Sequence, residues 1–396
     1  MTDKSHSSIV RRTSIPNSAS EPLVTPLMPS VVYTTQTPDA LDDQYEGRTT
    51  GYTYAREGHP NADVLARKID QLEGAEGGLI LGSGMAAVTA TMMGLLKAGD
   101  HVLGGDQLYG RSLRMMAEEL PRFGVETTLA DPTDIDAMRA AIQPNTRIIL
   151  VEVVSNPTLR VADMDGIAQL AKDCGALLVV DNTFTTPRGY KPFEHGADIV
   201  IHSVTKLLAG HSDVTLGYVA ARDPALMQQI VVTATTFGLT PSPFDCWLAE
   251  RGLHSFDLRF DRASANAAIL ADALAECPGV KRVLYPGRAD HPDHNRTVSV
   301  LQGEGGNMVS FELHGGRPAA NAMTTAAEHI AFGPTLGDVA TVLSHSASSS
   351  HRALTPEGRA ALGISEGFFR VSVGIEDPEL LVREFTAAIA EAQHNL

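Results

Sequence analysis

Short apolar runs alternate with segments of helical periodicity between about residues 60 and 255. Examples are residues 79–81 before 85–96, and residues 148–154 before 164–174. Strands that are apolar along their whole length and are separated by helices are typical of a parallel sheet with helices on both faces. The sequence therefore predicts an α/β fold built on a mainly parallel central sheet.

The pattern changes on either side of this region. Residues 1–58 are rich in Ser, Thr and Pro and have no period of their own, which indicates an arm. Beyond residue 255, helical segments are mixed with isolated strand-like runs such as 308–313 and 369–373, which favours a smaller α+β domain. A chain of 396 residues is long enough for two or three domains. We expect an N-terminal arm over 1–58, a cofactor-binding domain over 59–255 and a C-terminal domain over 256–396.

The charge balance and the cysteines exclude several classes of protein. The chain has 31 Lys and Arg against 47 Asp and Glu, a formal net charge of −16. Such a charge repels phosphate groups, so neither nucleic acid nor an anionic membrane is an expected partner. Cys174, Cys246 and Cys277 have no paired spacing, which argues against disulfides or a thiolate zinc site. No segment resembles a signal peptide or a membrane span, and we expect a cytoplasmic protein.

A glycine-rich turn at residues 82–84 separates the first apolar run from a helical segment. Strand, Gly-x-Gly and helix is the order of the dinucleotide fingerprint, which also requires an acidic residue about 20 residues later. Asp100 and Asp106 are near that distance, but Asp100 is typical of a turn. The N–H groups of Gly84 and Met85 also suit a single phosphate. A packing turn, a phosphate site and a nicotinamide-dependent oxidoreductase all remain open on these residues.

Polar residues follow two later apolar runs. Asp181 directly follows one run, and Ser203, Thr205 and Lys206 follow the next. Ligands of open α/β folds bind at the carboxyl ends of the strands. A lysine 25 residues after an aspartate, with two hydroxyls beside it, fits pyridoxal phosphate (PLP). The amine would form a Schiff base, the hydroxyls would bind the phosphate, and the carboxylate would pair with the ring nitrogen.

Segments along nearly the whole chain match motifs of one enzyme family: Tyr54-Ala55-Arg56, Ser83-Gly84-Met85, Tyr109-Gly110, Asn156-Pro157, Asp181-Asn182-Thr183-Phe184, Ser203-Val204-Thr205-Lys206, Gly210-His211-Ser212-Asp213-Val214 and Phe369-Arg370-Val371-Ser372-Val373-Gly374. The chain resembles the fold-type I PLP enzymes of cysteine and methionine metabolism, which include cystathionine γ-lyase, cystathionine γ-synthase and methionine γ-lyase. The resemblance implies the fold of the fold-type I enzymes, and it implies PLP as the cofactor.

The resemblance also implies roles for individual residues. Lys206 and Tyr109 are the expected catalytic residues, and Tyr109 is expected to stack on the cofactor ring. In relatives, the residues matching Tyr54 and Arg56 reach the phosphate of a neighbouring subunit, so we expect a dimer and, from pairs of dimers, a tetramer. The expected cofactor-binding residues are Tyr54, Arg56, Ser83, Gly84, Met85, Tyr109, Asn156, Asp181, Ser203, Thr205 and Lys206.

The substrate implied by the resemblance is a small amino acid. Arg370 is expected to bind its carboxylate through the planar guanidinium, with help from Asn156 and Thr335. Arg111, two residues after the stacking tyrosine, departs from the sulfur-amino-acid lyases. It suits a polar or anionic distal group on the substrate, or a salt bridge elsewhere on this acidic protein.

The expected reaction is γ-elimination from a γ-substituted L-amino acid of the methionine, cystathionine or homoserine-derivative class, releasing a 2-oxo acid and ammonia. Residues 355–359 and 363–367 are slightly more similar to methionine γ-lyases than to other members. The alternative is γ-replacement, as in a cystathionine γ-synthase or an O-acylhomoserine sulfhydrylase.

No metal site is expected. His291 and His294 lie three residues apart, but the intervening proline indicates a solvated loop and not a helix face. His345 and His351 lie beside a Ser-rich segment. Ordinary exposed histidines are expected here, and the alternative is that the two line an entrance.

Overall fold

The computed structural model describes residues 18–352 and 354–394. Residues 1–17 of the expected arm therefore lie outside the described residues. The strands are β1 (Leu79–Leu81), β2 (His101–Gly105), β3 (Glu126–Ala130), β4 (Thr146–Glu152), β5 (Leu177–Asp181), β6 (Ile199–Ser203), β7 (Gly217–Ala221), β8 (Val280–Leu284), β9 (Met308–Leu313), β10 (Ala331–Phe332), β11 (Val342–His345) and β12 (Phe368–Ser372).

The α-helices are α1 (Pro38–Tyr45), α2 (Pro60–Glu73), α3 (Gly84–Leu95), α4 (Gly110–Arg114), α5 (Leu120–Arg122), α6 (Ile135–Ala140), α7 (Met164–Cys174), α8 (Thr186–Gly189), α9 (Pro224–Phe237), α10 (Pro243–Leu253), α11 (Phe256–Ala275), α12 (His294–Val300), α13 (Gly316–Ala326), α14 (Pro356–Ala361) and α15 (Pro378–His394). Short 3-10 helices span Pro192–His195 and Ser346–Ser348, and a π-helical turn spans Met115–Glu119.

Seven strands form the central sheet in the order β1-β7-β6-β5-β4-β2-β3. The five strands from β6 to β3 in this order are parallel, whereas β7 is antiparallel to β6 and β1 is antiparallel to β7. The predicted α/β fold with a mainly parallel sheet is therefore confirmed. Because parallel strands end at the same edge, the residues that follow β4, β5 and β6 lie side by side.

Helices cover both faces of this sheet, as the apolar runs require. Leu178 and Val180 of β5 belong to a core cluster shared with α2, α7 and α10, whereas Val179 belongs to a cluster shared with α3 and α9. Successive side chains of a strand point to opposite faces. A strand with both faces buried is therefore apolar at every position.

The glycine-rich turn does not lie in a dinucleotide-binding unit. β1 precedes the turn at the edge of the sheet, and its neighbour is the antiparallel strand β7. The fingerprint requires a parallel strand–helix–strand unit with the two strands in one half of the sheet. β2, the strand that follows α3, is separated from β1 by four strands. The nicotinamide alternative therefore lacks its structural context.

A second sheet has the order β10-β11-β12-β9-β8 and is antiparallel except between β10 and β11. Phe311, Phe369 and Phe385 pack together in its core. The segment before β11 reaches the central sheet at Gly337, which has a φ of +84° and approaches the Lys206–Leu207 backbone closely. A Cβ at Gly337 would lie 2.5 Å from the Leu207 nitrogen. This contact brings the second sheet to the carboxyl edge of the first.

The described part of the arm, residues 18–58, lies along the surface. The Trp247 indole donates to the carbonyl of Thr25 at 2.9 Å, and the N–H of Met28 donates to Asn61 Oδ1 at 2.9 Å. Leu23 is fully exposed, and several other apolar side chains of this segment are also exposed. The arm thus presents apolar side chains that the single chain leaves uncovered.

The expectations for the histidine loops are wrong. His291 is buried and lies beside buried Asp293, which pairs with Arg160 at 2.7 Å, so this loop is packed and not solvated. His345 and His351 are each only 3% exposed. Among the residues that the structure describes, no group of three or more His, Cys, Asp or Glu could hold a metal ion. Within the same residues, no helix has the length and apolarity needed to cross a membrane.

Candidate active site

Two carboxylates lie next to each other at the carboxyl edge of the central sheet. Glu152 at the end of β4 is in register with Asp181 at the end of β5. Burial, and then the charge of Asp181, raise the pKa of Glu152 well above its usual value. Burial also raises the pKa of Asp181, but hydrogen bonds from Thr183 and the charge of His202 oppose this rise. Asp181 is therefore the member of the pair whose neighbours favour its ionised form.

The Asp181 carboxylate is oriented through one of its oxygens. Its Oδ1 accepts the Thr183 N–H at 3.1 Å and the Thr183 hydroxyl at 2.5 Å. The Thr183 hydroxyl oxygen in turn accepts the N–H of Ser203 at 2.8 Å, which ties β5 to β6. Oδ2 makes no hydrogen bond with the residues described, so it is free for a ligand.

A site for an anion lies beside this carboxylate, at the start of α3. Ser83 is the N-cap, and its hydroxyl accepts the N–H of Ala86 at 3.0 Å. The first N–H groups of a helix, here those of Gly84 and Met85, have no partner within the helix. Gly84 packs against Ser203, where a Cβ on Gly84 would lie 2.7 Å from the Cβ of Ser203. The start of α3 and the hydroxyl of Ser203 therefore face the same small space.

Lys206 lies three residues after the end of β6 and is half-buried. Its Nζ donates to the hydroxyl oxygen of Thr335 at 3.2 Å. Burial, and then the charge of Arg370, lower the pKa of its amine. A lowered pKa increases the fraction of neutral amine, which is the form that acts as nucleophile or base.

Arg370 projects from β12 and is held by two acceptors. One terminal nitrogen donates to Asn156 Oδ1 at 2.7 Å, and the other donates to the carbonyl of Thr335 at 2.7 Å. Its guanidinium carbon lies 6.0 Å from the centre of the Phe184 ring. Burial lowers the pKa of Arg370 to about 10. Its Nε is buried and has no partner among the described residues, so it is a donor available to a carboxylate.

The structure thus brings Lys206, Thr335, Asn156 and Arg370 together, and it places Tyr109 nearby. Tyr109 is 41% exposed and precedes α4, and its N–H donates to Glu152 Oε1 at 2.5 Å. Its phenol is close enough to Arg370 to affect the pKa of the guanidinium.

Other expected site residues are placed differently. The Thr205 hydroxyl donates to the carbonyl of Leu216 and accepts its N–H, so it is already engaged with the backbone. Arg56 lies over the Tyr54 ring at 5.4 Å and contacts the carbonyl of Thr235 at 3.5 Å. Among the described residues, neither Tyr54 nor Arg56 bonds to the residues around Lys206. Arg111 is exposed, and its guanidinium has no hydrogen-bond or ion-pair partner in the described part of the chain.

Sequence reasoning missed Glu152, which lies inside the apolar run 148–154, whereas Asp181 directly follows its run. It also missed Glu73 and His202, which contact each other behind Asp181. For these two no local signal exists, because they are 129 positions apart in the chain.

The residues present fit PLP. The start of α3 and Ser203 provide donors for a phosphate in a space that a Cβ on Gly84 would fill. Asp181 provides a carboxylate with one free oxygen, and Lys206 provides a half-buried amine of lowered pKa. Arg370 retains an unpaired donor for the carboxylate of an amino acid.

Comparisons with known proteins show the family of the chain. The model of the family described as Cys/Met metabolism PLP-dependent enzyme matches residues 7–390. The chain is 41% identical to the cystathionine beta-lyase of Bacillus subtilis over 86% of each chain. It is 39% identical to the L-methionine gamma-lyase of Pseudomonas putida over 93% of this chain and 92% of the other. A crystal structure of cystathionine gamma synthase from Xanthomonas oryzae pv. oryzae, in complex with cystathionine, matches with a TM-score of 0.90 at 36% identity and covers 96% of each chain.

Fold and site together define a PLP-dependent enzyme of fold-type I. The chain belongs to the Cys/Met metabolism PLP-dependent enzyme family, whose members include lyases and synthases of trans-sulfuration. Its cofactor is pyridoxal phosphate, and its substrate is a small amino acid.

Proposed function

We propose that this enzyme is a lyase that removes the γ-substituent of an L-amino acid of the methionine, cystathionine or homoserine-derivative class, releasing a 2-oxo acid and ammonia. The observation that carries the proposal is the unpaired Nε of buried Arg370, beside the Lys206 amine that donates to Thr335. The Arg370 guanidinium is suited to bind an amino-acid carboxylate, and the Lys206 amine is suited to move protons next to that carboxylate.

Arg370 orients the substrate. Asn156 and the carbonyl of Thr335 occupy both terminal nitrogens, so the guanidinium cannot rotate freely. A held, planar guanidinium binds a carboxylate with defined geometry. This contact turns the bound amino acid so that its α-hydrogen faces Lys206.

Lys206, Asp181 and the start of α3 would hold the cofactor by its aldehyde carbon, its ring nitrogen and its phosphate, respectively. When bound, PLP supplies an electron sink for the negative charge that develops at the α-carbon. Once the amine of the substrate has replaced Lys206 at the cofactor aldehyde, the Nζ of Lys206 is free to take the α-proton, because its lowered pKa leaves it neutral near pH 7 more often than an exposed lysine. Lys206 gives up this proton before it takes the β-proton. Removal of the β-proton allows the γ-substituent to leave.

Tyr109 is placed to exchange a proton with the substrate. Its backbone is fixed by the hydrogen bond to Glu152, and its phenol lies within electrostatic reach of Arg370. We assign to the Tyr109 hydroxyl the protonation of the leaving group.

Two relatives named above, at 41% and 39% identity, are lyases, and this supports elimination over replacement. The segments that resemble methionine γ-lyases, residues 355–359 and 363–367, have a role away from the proposed active site. Thr355 caps α14, and Glu366 pairs with Arg317 and with Arg359, so these residues brace a surface segment. The proposal of elimination therefore rests on the relatives.

Arg111 is the proposed contact for the distal part of the substrate. It lies in the first turn of α4, directly after Gly110, where a Cβ would be 2.5 Å from the carbonyl oxygen of Ser350. The Ser-rich segment therefore packs against this turn. An unpaired cation here favours a substrate whose distal part carries a carboxylate, as the distal ends of cystathionine and O-succinylhomoserine do.

We also propose the division into an arm over 1–58, a PLP-binding domain over 59–255 and a C-terminal domain over 256–396. The exposed apolar side chains of the arm, and the surface position of Tyr54 and Arg56, support contact with a second subunit whose phosphate site they complete. Light scattering of the active enzyme should give a dimer or a tetramer, and a fully active monomer would contradict this part of the proposal.

A substrate panel tests the reaction. Methionine, cystathionine and O-acylhomoserines are each supplied with and without a thiol, and release of 2-oxo acid is measured. Lyase activity predicts 2-oxo acid without thiol, whereas turnover that requires thiol identifies a replacement enzyme.

The same panel tests Arg111. The variant Arg111→Gln should raise KM for substrates with an anionic distal group by about two- to fivefold, as for an exposed charge pair, and leave methionine unchanged. Arg114→Gln is the matched control, because Arg114 lies in the same helix but pairs with Glu118 at 3.1 Å. Equal KM changes in the two variants would remove Arg111 from the site.

A further inference from the structure

A buried acid–histidine pair lies behind the cofactor site, and the mechanism above does not use it. Glu73 ends α2 and His202 lies in β6, and both side chains are fully buried. The Nε2 of His202 contacts Oε1 of Glu73 closely. The same oxygen accepts the side-chain N–H of Asn182 at 2.9 Å.

Glu73 therefore joins the ends of two neighbouring strands. Asn182 directly follows Asp181, and His202 directly precedes Ser203. The Glu73 carboxylate thus connects Asn182 with His202. Asn182 is next to Asp181, the proposed partner of the ring nitrogen, and His202 is next to Ser203, a proposed phosphate donor. The two residues that Glu73 contacts are thus each one peptide unit away from a proposed cofactor-binding residue.

The pair is also placed to act through charge. Glu73 Oε2 and His202 Nδ1 are both buried and have no hydrogen-bond partner among the described residues. A buried carboxylate with an unsatisfied oxygen is costly unless a cation lies beside it, and His202 is the cation-forming group in contact with it. The charge of His202 in turn favours the ionised form of Asp181.

We propose that Glu73 and His202 form a buried ion pair that presents an imidazolium to Asp181 and thereby keeps this carboxylate ionised against the cofactor ring nitrogen. His202 and Glu73 are positioning residues, since both act through Asp181. The inference rests on the role of Asp181 in the proposed function. The proposed charges are negative at Glu73, positive at His202, negative at Asp181 and positive at the protonated ring nitrogen.

The other titratable groups around the pair are engaged elsewhere. The Tyr218 ring lies 6.0 Å from the His202 ring, but its hydroxyl donates to Asp70 at 2.6 Å. Asp70, one turn before Glu73 on α2, also accepts the N–H of Gly78 at 3.1 Å. Glu152 pairs in register with Asp181, and its raised pKa favours its neutral form. None of these groups supplies the positive charge that Asp181 requires.

The test compares Glu73→Gln with Asp70→Asn in the holoenzyme. Both variants replace a buried carboxylate of the same helix by its amide. The readouts are the dissociation constant of PLP and the nitrogen-15 chemical shift of the ring nitrogen in labelled, bound PLP. Glu73→Gln should weaken PLP binding by about tenfold and move the shift toward the unprotonated value. Asp70→Asn should leave the chemical shift unchanged.

Further variants separate the possible failures. If Asp181→Asn leaves the nitrogen-15 shift unchanged, the proposed role of Asp181 is wrong. If Asp181→Asn moves the shift and Glu73→Gln does not, the ion pair alone is refuted. His202→Gln keeps a donor for Glu73 while removing the charge, and it should reproduce the effect of Glu73→Gln. Should these variants not fold, neutron diffraction from wild-type crystals decides, because a His202 without a proton on Nδ1 overturns the proposal.

Discussion

Replacing Gly84 with alanine tests whether α3 and β6 form the phosphate site by direct contact. The new Cβ would lie 2.7 Å from the Cβ of Ser203 and 3.0 Å from its Cα. Carbon atoms in contact are ordinarily about 3.5–4.0 Å apart, so the helix start and the strand end must separate by nearly 1 Å. Neither atom of Ser203 can rotate away, because both are fixed to the backbone.

The sign of the change in the free energy of unfolding shows whether overpacking outweighs the better helix propensity of alanine. Overpacking costs about 1–3 kcal/mol, whereas the better helix propensity of alanine contributes at most about 1 kcal/mol. We therefore expect Gly84→Ala to lower the free energy of unfolding of the cofactor-free protein by about 1–2 kcal/mol. Because the displaced groups face the same phosphate, PLP binding should weaken by at least about tenfold.

Two measurements check this expectation: denaturant unfolding without cofactor, and absorbance titration with PLP. Gly358→Ala is the control, because Gly358 is also in the first turn of a helix, α14. A Cβ on Gly358 would lie 3.4 Å from the nearest atom, which is ordinary van der Waals contact. A Gly84→Ala protein that is as stable as wild type and binds PLP equally well would refute the contact argument.

Two further substitutions test the substrate and carboxylate sites. Arg370→Lys keeps the charge but loses the planar fork, so kcat/KM should fall by about 10- to 100-fold while the absorbance of bound PLP is retained; loss of PLP instead would contradict a substrate-binding role. Glu152→Gln keeps an acceptor for the Tyr109 N–H. Because the pKa of Glu152 is raised in the fold, its proton is lost more readily from the unfolded chain, and wild-type stability should decline as pH rises above about 4.3. The variant should show a smaller decline between pH 4 and 8, and an unchanged pH profile of thermal unfolding would contradict the buried neutral carboxyl.

The strands of the central sheet were predictable where they contain an uninterrupted apolar run. β4, β5 and β6 were expected within a few residues of their bounds, and with them the positions of Asp181 and Lys206 at one edge. β2 and β7 were not recognised, since each contains glycine, as at Gly104 and Gly217. These glycines lie where the structure leaves little or no room for a Cβ, and a sequence pattern does not contain that information.

Burial of polar residues was the least predictable property. His345 and His351 were expected to be exposed because they flank a Ser-rich segment, but both are buried. Burial of a polar side chain depends on partners supplied from distant parts of the chain, as when His345 Nε2 pairs with the carbonyl of Glu366. Such partners leave no local periodicity.

By itself, the sequence determined the α/β class, the cofactor and the order of the residues at the sheet edge, because apolar runs and the polar residues that end them are local features. The tertiary structure alone decided which side chains share a site. Arg370 meets Asn156 across 214 positions, and Glu73 meets His202 across 129. These contacts depend on how two sheets pack, and packing is a property of shape and distance that no single segment encodes.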